Sequence, residues 1–235
     1  MKNDLEAASD HHRHAQHMNG YSFRFGGTQL TALPSGALYW PDAKILCVSD
    51  LHLGKSERVA RLGGPLVPPY ESQETLLKLK TDIDKTAPNT VICLGDSFDD
   101  ALAASKLGPQ EMASVSHLQN GREWIWIEGN HDPGPVGFSG ITQSTLNRQE
   151  LNFCHIGTVA PQQEISGHYH PKKTITLKGR RITRPCFLIS NSRIIMPAYG
   201  TYTGGLNSDN PVFIPLFETP PRIILTGRTA IYLNS

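Results

Sequence analysis

Three apolar runs in this chain each stop abruptly at polar residues: KILCVSD ends at Asp50, TVICLGD at Asp96, and REWIWIEGNHD at Asn130, His131 and Asp132. Short continuous apolar runs bounded in this way read as buried strands. A helix separates the first two, because Leu76, Leu79 and Ile83 recur at i, i+3 and i+7 within residues 71–85 and Pro88 lies just past the end. DDALAASKLG and residues 109–119 read as further helix before the third run. Upstream, YSFRF and TQLTAL form two short strands around Gly26-Gly27, and ALYW gives another.

Downstream the chain turns strand-rich: LNFCHIG, QEISGHYH, KTITLKGRRI, PCFLIS, SRIIMPA, RIILTG and TAIYLN follow in order. The economical architecture for this order is α/β, with helices covering sheets that pack on one another. The chain of 235 residues suffices for one large core, and no repeat or linker divides residues 21–235, which are expected to form a single domain. Residues 1–20 are expected to be a flexible tail in which His11, His12, His14 and His17 stand outside any site. That tail lacks the apolar core of a secretory signal, and no stretch has the length to span a bilayer, so no membrane partner is expected. Cys47, Cys93, Cys154 and Cys186 sit in or beside apolar runs without a CxxC pair, which fits reduced cysteines and a cytoplasmic location.

The polar residues at the run ends share one chemistry. Asp50 and His52 come from SDLH, Asp96 from LGD, Asn130, His131 and Asp132 from GNHD, His155 from FCHIG, and His168 and His170 from GHYH. Sites in open α/β sheets form outside the carboxyl ends of strands, so these groups can meet at one rim. Carboxylate, imidazole and amide oxygen suit manganese, iron or zinc. Seven of these nine, leaving aside His131 and Asp132, exceed one tetrahedral site and suit two ions sharing a carboxylate. A lone D-x-H is ordinarily a cap or turn, and a lone histidine a packed residue. The specificity lies in the ordered series D-x-H, G-D, G-N-H-D, H, G-H-x-H.

That series, over residues 49–170, resembles the calcineurin-like metallophosphoesterase superfamily. The resemblance implies a four-layer αββα sandwich: two mixed sheets flanked by helices, with a dinuclear metal site at the sheet edge. SDLHLGK, PPYES, LGDSF, GNHDPG, ISGHYHP, GRRITRPCF and MPAYGTYTGGL further resemble the DNA-ligase-associated metallophosphoesterases. That family implies a manganese-dependent endonuclease on single-stranded DNA, associated in function with a DNA ligase, a helicase and an exonuclease of a repair cluster. It implies that Asp50, His52 and His170 hold one metal, that Asn130, His155 and His168 hold the other, and that Asp96 bridges. His131 becomes the phosphate contact or general acid, with Asp132 positioning its ring. Asp99 departs from the pattern, since histidine is expected there.

Between Ile165 and Ser208 there is no acidic residue, while Lys172, Lys173, Lys178, Arg180, Arg181, Arg184 and Arg193 occur. This local charge of +7 stands out in a chain of net charge +1. It is either a solvated hairpin or a track for a polyanion, and its start two residues past His170 favours the track, with Lys172, Lys173, Arg180 and Arg181 as contacts. Lys55, Arg58 and Arg61 follow the first metal motif and either face the same cleft, with Lys55 and Arg58 as contacts, or form a solvated helix face. Tyr169, Tyr199 and Tyr202 are candidates either for stacking on bases or for packing. The extended reading of GHYH points both imidazoles to the site and Tyr169 away. The combined expectation is a two-metal phosphodiesterase cutting single-stranded or flapped DNA in DNA repair. Its rivals are a phosphatase or cyclic-nucleotide phosphodiesterase with the same centre, and a non-catalytic metal-binding scaffold.

Overall fold

The computed structural model describes residues 18–64, 70–134 and 136–233, so the histidine cluster at 11–17 lies outside the described residues. In chain order the first half forms β1 (Tyr21–Phe25), β2 (Thr28–Ala32), β3 (Leu38–Trp40), β4 (Ile45–Val48), α1 (Lys55–Arg61), α2 (Glu71–Thr86), β5 (Thr90–Leu94), α3 (Ala103–Lys106), α4 (Pro109–Gln119), β6 (Glu123–Ile127) and β7 (Ile141–Gln143). These strands line up in sequence order in one sheet. β1 to β4 pair antiparallel and β4 to β7 parallel, so the sheet is mixed. The apolar runs of the sequence are its parallel core.

The second half forms β8 (Thr145–Arg148), β9 (Leu151–Cys154), β10 (Glu164–Ser166), β11 (Lys172–Leu177), β12 (Arg180–Ile189), β13 (Arg193–Ile195), β14 (Arg222–Leu225) and β15 (Ile231–Leu233). Their sheet runs β15-β14-β12-β13-β10-β9-β8, with β11 paired to β12 as a projecting hairpin. It too is mixed, because β10 pairs in parallel with β9 and β13.

Side-chain alternation builds the layers. Ile45, Cys47, Ile92, Leu94, Ile125 and Ile127 face the second sheet and meet Phe153, Ile165, Phe187 and Ile194 there. The intervening Leu46, Val48, Val91, Cys93, Trp124 and Trp126 face the helices, packing on Leu76, Leu79 and Ile83 of α2 and Val115 and Leu118 of α4. On the outer face of the second sheet, Cys186, Leu188, Ile195 and Leu225 are covered by Phe213, within the 3₁₀ segment Pro211–Leu216. That segment, and no α-helix among the described residues, supplies the fourth layer. The helix read in DDALAASKLG is one turn, because Asp100 Oδ1 caps Leu102 and Ala103 at 3.0 and 2.8 Å and the chain turns extended at Leu107. The four cysteines are buried and free, and no helix among the described residues is long and apolar enough to cross a membrane.

Candidate metal centre

Strands of both sheets end at one edge. β4 delivers Asp50 and His52, β5 delivers Asp96, β6 leads to Asn130 and His131, β9 to His155, and β10 to His168 and His170. Their donor atoms converge in two nests, Asp50–His52–His170 and Asp96–His155–His168, with the ligating atoms of each within 4.8 Å of one another. Asn130 joins the second nest, its Oδ1 lying 2.9 Å from His155 Nε2. His117 lies in α4, lining the groove between α2 and α4, and takes no part.

The nests consist of acceptors facing acceptors. His155 Nδ1 lies 2.9 Å from the Leu94 carbonyl, which can only accept, so Nδ1 carries the hydrogen. In the neutral ring, Nε2 is then a bare lone pair, and it faces Asn130 Oδ1, Asp96 Oδ2 at 3.3 Å and His168 Nδ1 at 3.3 Å. His52 repeats the arrangement: Nδ1 lies 2.9 Å from Asp99 Oδ1, and Nε2 lies 3.4 Å from His170 Nε2, which is itself 3.1 Å from Asp50 Oδ1. A cation in each nest satisfies all these lone pairs at once, and ring nitrogens braced from behind are the usual setting of metal-binding histidines. The residues present therefore fit two divalent ions.

Burial pushes the Asp96 carboxyl up, but the hydrogen bond and charge of His155, with His131 behind them, pull it down to about 2. Burial likewise raises Asp50, and His170, His155 and Ser49 bring it below the ordinary carboxylate value. Asp132 is the opposite case: its burial, with the neighbouring charge of Asp96, lifts its carboxyl to about 6 despite backbone donors.

Backbone strain concentrates in the same residues. Asp50, His52, Asp96, His168 and His170 all adopt left-handed φ, between 46° and 71°. Non-glycine residues are rarely held there, and each such residue costs on the order of 1 kcal/mol or more. Surrounding hydrogen bonds impose the conformation. His52 N donates to Asp96 O at 2.9 Å, Asp50 N to Gly95 O at 3.2 Å, and His168 N to Asp50 Oδ2 at 3.1 Å. The extended reading of GHYH is thus corrected: left-handed turns at His168 and His170, not strand alternation, turn both rings to the site. Tyr169 packs its ring on Phe213 at 5.7 Å and edge-on against the His168 ring at 5.0 Å.

The structure departs from the expected role of Asp132. Its carboxylate accepts from Ser97 N at 2.7 Å, Phe98 N at 3.1 Å and Gly129 N at 3.1 Å, and ties the GNHD loop to the LGDSF loop. The His131 ring is held instead by the Asp99 carbonyl, 2.8 Å from Nδ1. His131 Nε2 is left toward the site, 4.0 Å from Asp96 Oδ2, on a side chain one-third exposed. Asp99, which departs from the expected histidine, also braces His52. Its signal was its place three residues after Asp96 in the same loop.

The basic residues divide. Arg58 is engaged, with Nη1 3.0 Å from Asp99 Oδ2, and does not stand free in a cleft. Arg193 is buried and paired with Glu164 at 2.7 Å, so it leaves the positive run altogether. In the β11–β12 hairpin, the pairs Lys172↔Pro185, Thr174↔Thr183 and Thr176↔Arg181 share one face, while Lys173↔Arg184, Ile175↔Ile182 and Leu177↔Arg180 share the other. Lys172 and Arg181 are therefore separated from Lys173 and Arg180, and Lys173 pairs with Asp209 at 2.6 Å. Lys55 and Lys172 reach the loop after Gly200, with Nζ 3.4 Å from the Tyr202 carbonyl and 3.0 Å from the Thr203 carbonyl. Tyr199 is core, donating to Asp82 Oδ2 at 2.8 Å, whereas Tyr202 is 52% exposed.

A model of the calcineurin-like phosphoesterase family matches residues 43–222. The solved structure of the nuclease MPE of Pseudomonas putida is similar over 91% of this chain and 100% of that one, with a TM-score of 0.67 and 26% sequence identity. No curated protein matches the chain.

Proposed function

We propose that this chain, which belongs to the calcineurin-like phosphoesterase family and is a metal-dependent phosphodiesterase, is a manganese-dependent endonuclease that cuts single-stranded or flapped DNA in DNA repair. Asp50, His52 and His170 would hold one ion, Asn130, His155 and His168 the other, and Asp96 would be shared. Two such ions supply Lewis acidity to both the attacking and the leaving oxygen of a phosphoryl transfer. The protein's own part is positioning and proton delivery. His131, anchored through Nδ1 to the Asp99 carbonyl, directs Nε2 to the site, where in its protonated form it donates to the departing oxygen. Asp132 keeps that loop seated on the neighbouring metal loop.

The observation that carries the choice of a polyanionic substrate is the hairpin that begins two residues beyond His170. One of its faces presents Lys172 and Arg181 among threonines, with no carboxylate in the strand pair. A nuclease among the similar structures supports the same choice. The proposed setting is cytoplasmic, alongside a DNA ligase, a helicase and an exonuclease.

The test compares single-stranded DNA, a nitrophenyl monoester, a cyclic nucleotide and bis-nitrophenyl phosphate with manganese, iron, zinc or magnesium. Internal cleavage of the DNA, strongest with manganese, is expected. Rapid hydrolysis of the monoester or cyclic nucleotide with intact DNA would overturn the reading in favour of a small-substrate enzyme. Bound metal without turnover of any ester would make the chain a scaffold.

A further inference from the structure

The loop Gly200–Gly205 is fastened at both ends to the metal loops. At one end Gly200 N donates to Asp50 O at 3.0 Å, and a Cβ on Gly200 would collide with the Leu51 carbonyl. At the other, a Cβ on Gly205 would collide with the His170 carbonyl. Both glycines are therefore places where backbone meets backbone with no room for a side chain. Between them the loop is braced again: Thr201 N donates to Thr75 Oγ1 at 3.0 Å, and Thr203 Oγ1 donates to the Gly200 carbonyl at 3.1 Å.

At the crest of this fixed loop stands Tyr202, in a left-handed conformation at φ 57° and with half its surface in solvent. The carbonyls of Tyr202 and Thr203 are the two that Lys55 and Lys172 hold. Two ammonium groups thus lie against the backbone of the loop that carries this exposed ring, and each retains donors beyond the one engaged. The carboxylate of Asp99 is occupied by His52 and Arg58. Of the three candidate tyrosines, Tyr199 is sealed in the core and Tyr169 packs between Phe213 and His168, so Tyr202 is the one with half its surface in solvent.

We propose that Tyr202 is a base-stacking residue that, with Lys55 and Lys172 as flanking phosphate contacts, grips one nucleotide of a single strand next to the metal centre. The assignment rests on the nuclease reading above and deepens it. A ring on a rigid loop loses little freedom on stacking, and stacking tolerates any base because every base has a π-face. Preference is then for a base-bearing strand over a bare sugar-phosphate backbone, and not for a particular sequence.

The test compares an oligothymidylate with an oligonucleotide of the same length made of abasic residues. The readout is the ratio of their KM values. The parent is expected to favour the base-bearing strand by about tenfold or more, the usual strength of one stacked base. Tyr202→Ala should collapse that ratio toward one, and Tyr202→Trp should restore it. A parent that does not discriminate, or a Tyr202→Ala variant that discriminates as well as the parent, would overturn the stacking assignment and leave the nuclease reading standing. Failure of the parent to cut either oligonucleotide while it hydrolyses bis-nitrophenyl phosphate would overturn both.

Discussion

Asp99 holds His52 from behind: its Oδ1 lies 2.9 Å from His52 Nδ1, and both side chains are buried. The bond fixes the tautomer that leaves Nε2 free for the first metal nest. Removing a buried brace of this kind typically lowers metal affinity ~10–100-fold. Asp99→Ala should show that loss in a metal titration, whereas Asp99→Asn, which can still accept through its amide oxygen, should lose less. Unchanged affinity in Asp99→Ala would mean that His52 is oriented by packing alone.

His131→Ala is expected to keep its metals and lose rate, by ~10²–10⁴-fold if the ring is a general acid. Nitrophenolate needs no proton to depart, so the loss should be smaller on a nitrophenyl ester than on DNA. Equal losses on both substrates would reassign His131 to phosphate binding.

Much of this was legible in the sequence because it is local. Runs such as ILCV and VICL declare buried strands, and the residues that stop them are the donors that the fold gathers. What escaped is tertiary or conformational. Arg58 and Arg193 read as free cations, but their partners Asp99 and Glu164 lie 41 and 29 residues away along the chain. The left-handed turns at His168 and His170 give the same outcome as strand alternation, so the spacing H-Y-H could not distinguish them. β7 and β8 carry mostly polar, half-exposed residues and so left no apolar periodicity to read.

The Arg193–Glu164 pair gives a prediction about the fold. Both side chains are almost wholly buried, and Thr158 also donates to Glu164 Oε2, through N at 2.7 Å and Oγ1 at 2.6 Å. Arg193→Leu strands that carboxylate, and breaking a buried pair from one side typically costs ~3–5 kcal/mol. Denaturant unfolding should register a loss of this size. A stability within ~0.5 kcal/mol of the parent, the range of a surface change, would place Arg193 back in the solvated run.

Lys78 predicts a pH dependence. It donates to the Tyr199 carbonyl and lies 4.0 Å over the Tyr199 ring. Burial lowers its pKa from 10.5 to about 8, with Asp82 opposing the shift. The unfolded chain therefore binds the proton more tightly between those values, and the contribution of Lys78 to stability rises with pH across that window. It is complete above the unfolded value and lost as pH falls through the folded one. The stability difference between the parent and Lys78→Met should shift in the parent's favour from pH 8 to 10.5; a flat difference would contradict a buried amine.

The central claim is that the acceptor nests at the sheet edge hold two ions joined through Asp96. Asp96 Oδ1 also accepts from His131 N at 2.8 Å, so the carboxylate ties the candidate metal site to the His131 loop as well. The most direct measurement is metal content per chain, by elemental analysis after chelation and reloading with manganese, in the parent and in Asp96→Ala. Two ions per chain are expected in the parent, and loss of tight binding at both sites, with turnover abolished, in the variant. An Asp96→Ala chain that keeps two tightly held ions and near-normal turnover would contradict it.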